Sequence, residues 1–362
     1  MRSNYRRKWD KLNLKVESIF RRYSYRKAAK LRLKRMNGGY NCDKEYDEII
    51  VPFWNQFNYK PQKYWYQIFS DREQKVDPRY IPDDLWYGTI IPYYSNPQFR
   101  RFGEDKCLHD VWFPELERPQ TIMKNIAGVF YDAEMNIINQ ETAMGLCLQC
   151  KDEYLIKPSI DSGEGRLIKF FDKNSQHSDI LETFNQLKAN YIAQGVVKQH
   201  KVLSELNASS LNTIRIVSFL FEGDVYILSA ILRIGASGSK VDNIGNGGYA
   251  CPILEDGQLK SKGVNRQAQW VEEVDKGIRF SEVVIPNYHL IINAINETHE
   301  KFAHFKLIGW DFAIDQDAQP VFIEFNTCPG SNQITCGPTF GDITEKVLYD
   351  VLVEKKLKYA QN

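Results

Sequence analysis

The chain has 362 residues, of which 43% are hydrophobic and 13% aromatic, so it is long enough to bury a substantial core in two or three lobes. Its formal net charge is +1 and no apolar run reaches the length of a membrane span, which excludes a helical integral membrane protein and gives no reason to expect a nucleic-acid partner. Seven cysteines are an odd number for a disulfide framework, so we expect a cytoplasmic protein.

The first 35 residues are strongly basic, although the net charge of the whole chain is only +1. They carry fourteen Lys or Arg residues against two acidic ones, a balance of +12. Apolar residues recur there at spacings of three and four, which predicts a basic amphipathic helix over residues 1–36; they are Trp9, Leu12, Val16, Ile19, Phe20 and Tyr23. Three interpretations are open: packing on its own domain, contact with an anionic membrane at its inner face, and contact with an acidic glycan. We expect self-packing for the first part, whereas residues 26–35 are less easily explained by a core.

Residues 37–115 are rich in aromatic residues and Pro. The tryptophans of this segment are Trp54, Trp65, Trp86 and Trp112. We expect an irregular lobe whose rings form its core. The alternative is a groove for a sugar, because an aromatic face suits the apolar face of a pyranose. The sequence does not separate these two interpretations.

Residues 116–362 are more regular and predict one α+β domain. The predicted strands and helices are strands 121–124, 128–131, 154–158, 167–171 and 191–197, and helices 140–150, 178–190 and 288–302. Cys147 and Cys150 form a lone CxxC pattern, which we interpret as two buried thiols on one helix rather than a zinc or redox site.

One predicted strand has a lysine near its end and is followed by a loop that contains glycines. Lys157 closes the strand 154–158, and the loop 159–166 follows it. Such a lysine suits phosphate, because the ammonium supplies a point charge while loop N–H groups close over the oxygens. This is not a Walker A loop, since no G-K-[ST] sequence opens a helix here.

A hairpin is predicted from residues 212–221 and 225–234 around Glu222-Gly223-Asp224. Arg215 and Arg233 fall on one face of this hairpin. An Arg on the buried face of a strand needs an anion. That anion is either a local carboxylate or a group on a bound ligand.

A second hairpin follows near the end of the chain. Its predicted strands are the apolar runs 307–314 and 321–326, separated by six turn-forming residues. The simplest register pairs Ile314 with Val321. Counting three residues outward then places Asp311 opposite Glu324, and Asn326 shares their face because side chains alternate with a period of two.

Two carboxylates facing each other repel unless a cation lies between them. The candidate ligands are all oxygens, which favours a hard ion such as Mg²⁺ over zinc. The alternative is a polar stripe on an edge hairpin, but the segment Asn326-Thr327-Cys328-Pro329-Gly330-Ser331 follows at once and favours the metal.

These motifs together resemble the closing metal motif of ATP-grasp enzymes, in which an Asp, a Glu and an Asn hold Mg²⁺ against the phosphates of ATP. More closely, the chain resembles the sugar-transfer-associated ATP-grasp family found with polysaccharide biosynthesis genes, from about residue 105 to the C-terminus. The resemblance implies an α+β ATP-grasp fold of two antiparallel-sheet lobes clasping Mg·ATP, preceded here by a basic, aromatic N-terminal extension.

The resemblance also implies roles for individual residues. The metal ligands are Asp311, Glu324 and Asn326, and the residues on the reacting groups are Arg215, Arg233 and Asn243. The nucleotide-binding residues are Lys124, Lys157, Ser162, Gly163, Gly165, Gln194, Gly195, Val196 and Val197. Asn243 belongs to a glycine-dense bend whose backbone amides can hold an oxyanion or a substrate carboxylate. Gln194 stands where the family often has an acidic residue.

The expected reaction is ADP-forming ligation of a carboxylate to an amine through an acyl phosphate. The resemblance places it on a carboxylated sugar or glycan precursor, with an amino acid or amine as second substrate. Two alternatives are a kinase that phosphorylates a hydroxyl of a glycan precursor at the same ATP site, and a nucleotide-binding module that docks glycan machinery without turnover.

Overall fold

The computed structural model of the protein describes residues 2–161, 165, 167–239, 247–265 and 269–354, with side chains described from residue 16 onward. The chain divides into two compact units. Unit 1 comprises Met1–Pro97, His304–Leu307 and Cys328–Asn362, and unit 2 comprises Gln98–Ala303 and Ile308–Thr327. The three-part division of the sequence at residues 36 and 115 stays a prediction.

Within the described residues, the regular structure of unit 1 is helical except for Leu307, the first residue of a strand, and a β-bridge between Ser95 and Phe305. Over both units, the α-helices are α1 Arg2–Arg35, α2 Asp43–Glu45, α3 Val51–Asn55, α4 Lys63–Ser70, α5 Asp83–Leu85, α6 Ile91–Tyr94, α7 Arg100–Gly103, α8 His109–Trp112, α9 Gln140–Leu148, α10 His177–Leu187, α11 Lys201–Leu206, α12 Tyr288–His299, α13 Gln333–Cys336 and α14 Thr344–Tyr349. Among the described residues, none of these helices combines the length and apolar character that a membrane crossing requires.

The aromatic residues of unit 1 form its core. Trp54 and Trp86 are fully buried, and each indole N–H donates to a backbone carbonyl, that of Pro78 and that of Pro329 respectively, at 2.9 Å. Tyr66 is also fully buried. A buried indole needs such an acceptor, because an unpaired polar N–H in the core costs free energy. The prediction that these rings form a core is confirmed for Trp54 and Trp86, but short helices rather than irregular chain carry them.

The long helix α1 packs with the face opposite to the one that its apolar spacing predicted. Arg26 donates to the buried Asp84 at 2.6 Å, and Ser18 donates to the backbone carbonyl of Gly88. Val16, Ile19, Phe20 and Tyr23 are instead exposed. Self-packing of the apolar face is therefore wrong for these four residues, because other side chains of the helix, among them Ser18, Arg26 and the buried Ala29, make the contacts within unit 1.

Unit 2 contains two antiparallel sheets. The first has the strand order β3-β2-β1-β6-β4-β5. Its strands are β1 Thr121–Ile126, β2 Val129–Tyr131, β3 Ile137–Ile138, β4 Tyr154–Pro158, β5 Lys169–Phe171 and β6 Tyr191–Gly195. Helices α9 and α10 cover one face, where Met123, Ile156 and Phe184 share a buried cluster. Cys147 lies in this cluster, whereas Cys150 is half-buried beyond the end of α9.

The second sheet has the order β11-β10-β9-β8-β7-β12-β13. Its strands are β7 Thr213–Phe221, β8 Asp224–Ile234, β9 Tyr249–Pro252, β10 Gly263–Val264, β11 Trp270–Val271, β12 Leu307–Ile314 and β13 Pro320–Asn326. The β7–β8 hairpin turns at Glu222 and Gly223, whose φ values of 54° and 99° are those of a tight two-residue turn. Both predicted hairpins are thus present.

The β12–β13 hairpin contains the predicted pair of Asp311 and Glu324, although its register near the turn differs from the prediction. Ile314 pairs with Pro320 rather than with Val321, but a bulge at residue 323 shifts the register by one, so that Asp311 pairs with Glu324 as predicted. The bulge also lets Trp310 and Phe322 meet on the opposite face, at a ring-centroid distance of 6.1 Å. One irregularity therefore turns aromatic rings to the core and both carboxylates to the other face.

Candidate active site

A cavity of about 590 Å³ in unit 2 is lined by most of the predicted site residues. Its apolar wall is formed by Leu155, Ile168, Phe170, Val196 and Ile323, and charged side chains continue from it: Lys106, Lys157, Arg233, Asp311 and Glu324. Successive side chains of a strand point to opposite faces, which explains which residues of β4 line the cavity. Ile156 faces the core under α9 and α10, while Leu155 and Lys157 face the cavity. An apolar pocket that runs into clustered charge suits a ligand with a planar ring at one end and anionic groups at the other.

Two arginines hold the buried carboxylate of Asp311. Arg215 donates to both carboxylate oxygens, with 2.6 Å between Nη2 and Oδ2, and Nη1 of Arg233 lies 3.3 Å from the same Oδ2. Burial raises the pKa of Asp311, and the two guanidinium groups oppose that rise. In this structure the strand arginines therefore pair with a local carboxylate, which is one of the two anions that the sequence left open.

The facing carboxylate, Glu324, pairs with a lysine from a distant part of the chain. Nζ of Lys106 lies 3.1 Å from Oε2 of Glu324. Burial raises the pKa of Glu324, but the positive charges of Lys106 and Arg215 outweigh burial and hold that pKa well below its usual range. The two facing carboxylates thus avoid repulsion because each has its own cationic partner.

Lys106 was missed by the sequence analysis. It opens a short 3₁₀ turn, Lys106–Leu108, that Asp105 caps by accepting from the backbone N–H of Cys107 at 3.0 Å. Its own backbone N–H donates to the carbonyl of Ser159, two residues beyond Lys157. The capping residue Asp105 is the only nearby feature of the sequence that indicates this turn. The contact of Lys106 with Glu324 joins residues more than 200 positions apart, so no periodic pattern in the sequence predicts it.

Lys157 is placed in the cavity beside Lys106. Burial and the neighbouring charge of Lys106 together lower the pKa of Lys157 to about 8, against an opposing effect of Glu324. Across the sheet Lys124 and Lys157 both pair with Ile192, so the three residues share a face. Lys124 is nevertheless fully buried, forms an ion pair with Asp110 and is not among the residues that line the cavity.

The predicted nucleotide hinge lines the cavity at the end of β6. Gln194, Gly195, Val196 and Val197 all line the cavity, and so does Gly165. The backbone N–H of Val196 donates to the carbonyl of Glu153 at 3.0 Å, and that of Gly195 donates to Gln120 at 2.8 Å. Ser162, Gly163 and Asn243 lie outside the described residues.

The donor chemistry of the β12–β13 face fits a hard divalent cation. Asp311, Glu324 and Asn326 offer carboxylate and amide oxygens, the ligands that Mg²⁺ prefers. Nδ2 of Asn326 is 3.4 Å from the carbonyl of Gly309, so its amide is only weakly held. Within the part of the chain that the structure describes, no cluster of three or more His, Cys, Asp or Glu side chains is suited to a metal, so a cation on this face would have two carboxylates and one amide as side-chain ligands.

Comparison with known proteins identifies the family. Residues 123–346 match the family described as sugar-transfer associated ATP-grasp. No curated protein matches the chain. Three solved structures are among those similar to it. D-alanyl-alanine synthetase A from Vibrio cholerae O1 biovar eltor has 14% identity and a TM-score of 0.41, over 70% of this chain and 65% of that one.

L-amino acid ligase from Bacillus licheniformis has 11% identity and a TM-score of 0.37, over 74% of this chain and 49% of that one. D-alanine–D-alanine ligase from Bacillus anthracis, complexed with ATP, has 14% identity and a TM-score of 0.35, over 72% and 66%. The chain thus spans less than two thirds of the length of each of these relatives. The family match and the two antiparallel sheets confirm the predicted α+β ATP-grasp fold. Because the match covers more than half of the 362 residues, the chain belongs to the sugar-transfer-associated ATP-grasp family.

Proposed function

We propose that the protein is an ADP-forming ligase that joins a carboxylate to an amine, with ATP and Mg²⁺. The observation that carries this proposal is the arrangement of charges at the end of an apolar pocket: two facing carboxylates, two lysines and Arg233 line the cavity, and Arg215 pairs with one of these carboxylates, Asp311. Phosphoryl transfer needs positioning and charge neutralisation more than a protein nucleophile, and this set supplies both.

The apolar wall formed by Leu155, Phe170 and Val196 would hold adenine, with the hinge backbone beside it. Lys106 and Lys157 would bind the phosphate oxygens as point charges. Mg²⁺, held by Asp311, Glu324 and Asn326, would neutralise charge on the phosphates in transfer. Lys124 stays a proposed nucleotide residue through its place beside Ile192, although its ammonium pairs with Asp110 here.

Arg215 and Arg233 would hold the transferring phosphoryl group and the acyl phosphate, because guanidinium groups bind such oxygens in pairs. The substrate carboxylate attacks the γ-phosphate of ATP, which releases ADP and forms the acyl phosphate. The amine then attacks the acyl carbon and releases inorganic phosphate. Exclusion of water by the apolar wall would protect the acyl phosphate from hydrolysis. Asn243, Ser162 and Gly163 remain proposed contacts.

The proposed acceptor is a carboxylate on a sugar or glycan precursor, and the proposed setting is polysaccharide or capsule biosynthesis in the cytoplasm, where ATP is available. The family description supports this choice of substrate class. The amine partner is an amino acid or another small amine.

Interception of the acyl phosphate tests the reaction class. We expect the purified protein, given Mg·ATP, a uronic acid or acidic nucleotide-sugar and hydroxylamine, to form a hydroxamate with equal amounts of ADP and free phosphate. Glu324→Gln should abolish the product, whereas Asp317→Asn, which removes an exposed carboxylate from the turn of the same hairpin, should retain it. A stable phospho-sugar without free phosphate would establish a kinase instead. Nucleotide binding with no turnover across a panel of carboxylates would establish a binding module.

A further inference from the structure

The outward face of α1 combines exposed apolar side chains with exposed lysines. Ile19, Phe20 and Tyr23 are 59%, 70% and 67% exposed. Lys27 and Lys34 lie one and three turns further along the helix and are exposed as well. At about 100° per residue, the positions 20, 23, 27, 31 and 34 fall within an arc of about 80°, so they form one continuous stripe.

Unit 1 fixes the orientation of this stripe. On the side of the helix opposite to the stripe, the ring of Tyr25 stacks on that of Tyr87 at a centroid distance of 4.0 Å. Beside the stripe, about 100° from its middle, Arg26 forms an ion pair with the buried Asp84. Gly88 allows close approach, because a Cβ atom there would lie 2.5 Å from Cγ of Arg22. The apolar stripe therefore points away from unit 1 because of specific contacts on its other side.

We propose that this stripe binds the surface of a lipid bilayer that contains anionic lipids. A helix with aromatic and aliphatic residues beside lysines suits the boundary between headgroups and acyl chains, where rings insert and ammonium groups meet phosphates. Leu31 continues the apolar part and Lys30 the basic part of the exposed face. In the sequence the same spacing of three and four extends back to Leu12 and Trp9. The inference goes beyond the proposed ligase reaction and does not depend on it.

Charge and apolarity together select a membrane over other partners. A second copy of the chain would bring lysine against lysine, since the only acidic residue in positions 16–35 is Glu17, which pairs with Arg21. An acidic glycan would match the lysines but would leave Phe20 and Tyr23 in water. A bilayer with anionic headgroups satisfies both parts of the stripe.

Sedimentation with vesicles tests the proposal on the full chain. We expect binding to vesicles of phosphatidylcholine with phosphatidylglycerol, weaker binding to phosphatidylcholine alone, and loss of binding with salt. The variant Lys27→Gln/Lys30→Gln/Lys34→Gln should lower the partition coefficient about a hundredfold, since each lysine near an anionic surface contributes about fivefold. The variant Phe20→Ser/Tyr23→Ser should lower it at least about tenfold.

A matched control removes the same charge elsewhere in unit 1. The exposed lysines Lys44, Lys60 and Lys75 should be replaceable by Gln together without loss of vesicle binding. Equal loss in this control would mean that only net charge matters, which contradicts the proposal. Full binding by Phe20→Ser/Tyr23→Ser, with equal affinity for a soluble acidic polysaccharide, would establish a polyanion contact instead. A dimer in light scattering that Phe20→Ser/Tyr23→Ser dissociates, without vesicle binding by the parent, would establish self-association.

Discussion

Replacement of Asp311 by Asn should destabilise unit 2 more than replacement of Glu324 by Gln. Asp311 is 3% exposed at its side chain and pairs with two arginines, which are 17% and 20% exposed. Removal of one partner from a buried ion pair costs about 3–5 kcal/mol, and the residual exposure of the arginines favours the lower end, about 3 kcal/mol. Glu324 is 25% exposed and has one lysine partner, so Glu324→Gln should cost only about 1.5 kcal/mol.

Thermal unfolding without nucleotide measures the difference. For a unit of this size each kcal/mol shifts Tm by about 2–4 °C, so we expect Asp311→Asn to lower Tm by about 6–12 °C and Glu324→Gln by about 3–6 °C. In the background Arg215→Met/Arg233→Met, Asp311→Asn should cost far less, because no unpaired guanidinium remains. Equal shifts for both single variants, or the same cost of Asp311→Asn in both backgrounds, would refute the ion-pair reasoning.

Three other predictions concern single residues. Because the pKa of Lys157 is lowered from 10.5 to about 8, its contribution to stability should rise with pH between these values. When ATP binds near pH 8, its phosphates should raise this pKa again, so Lys157 should take up a proton. Calorimetry in buffers of different ionisation enthalpy should detect this uptake, and Lys157→Gln should remove it. Asn326→Ala should sharply reduce Mg-dependent turnover but shift Tm by less than about 3 °C, since its amide makes one long hydrogen bond to Gly309; parental turnover at saturating Mg²⁺ would contradict the metal assignment. Gly88→Ala should loosen α1 by forcing a Cβ against Arg22, seen as faster tryptic cleavage within α1, and unchanged cleavage would show that the close approach is not required.

The facing carboxylates were predictable because a strand has a period of two and a short loop fixes its register. The pairing of Ile314 with Val321 was wrong, yet Asp311 still meets Glu324, since the bulge at residue 323 adds one residue between them. A bulge depends on packing of the aromatic face against the core, so the sequence of the hairpin alone does not reveal it. The correct pairing therefore depended on two register differences that cancel.

The partners of the charged residues were not predictable, because they come from distant positions. Lys106 and Glu324 are more than 200 positions apart in the sequence, and Lys124 forms an ion pair with Asp110 instead of lining the cavity.

Helix α1 shows a different reason why a contact could not be predicted. A period of 3.6 defines two faces of a helix but does not say which one packs, and here the apolar face is exposed while Ser18, Tyr25 and Arg26 contact the rest of unit 1.

The same cations serve the carboxylates here and would serve the phosphates in the proposed reaction. Each carboxylate of the pair Asp311 and Glu324 already has its charge balanced, so a divalent cation alone would have to displace guanidinium and ammonium groups with no new partner for them. Nucleotide phosphates provide that partner. In the proposed reaction, binding of nucleotide and binding of Mg²⁺ would therefore be coupled through Arg215, Arg233 and Lys106, and by linkage each would strengthen the other by the same factor. A site built in this way would bind Mg²⁺ weakly without nucleotide, because the guanidinium and ammonium groups that the metal displaces would then lack an anionic partner.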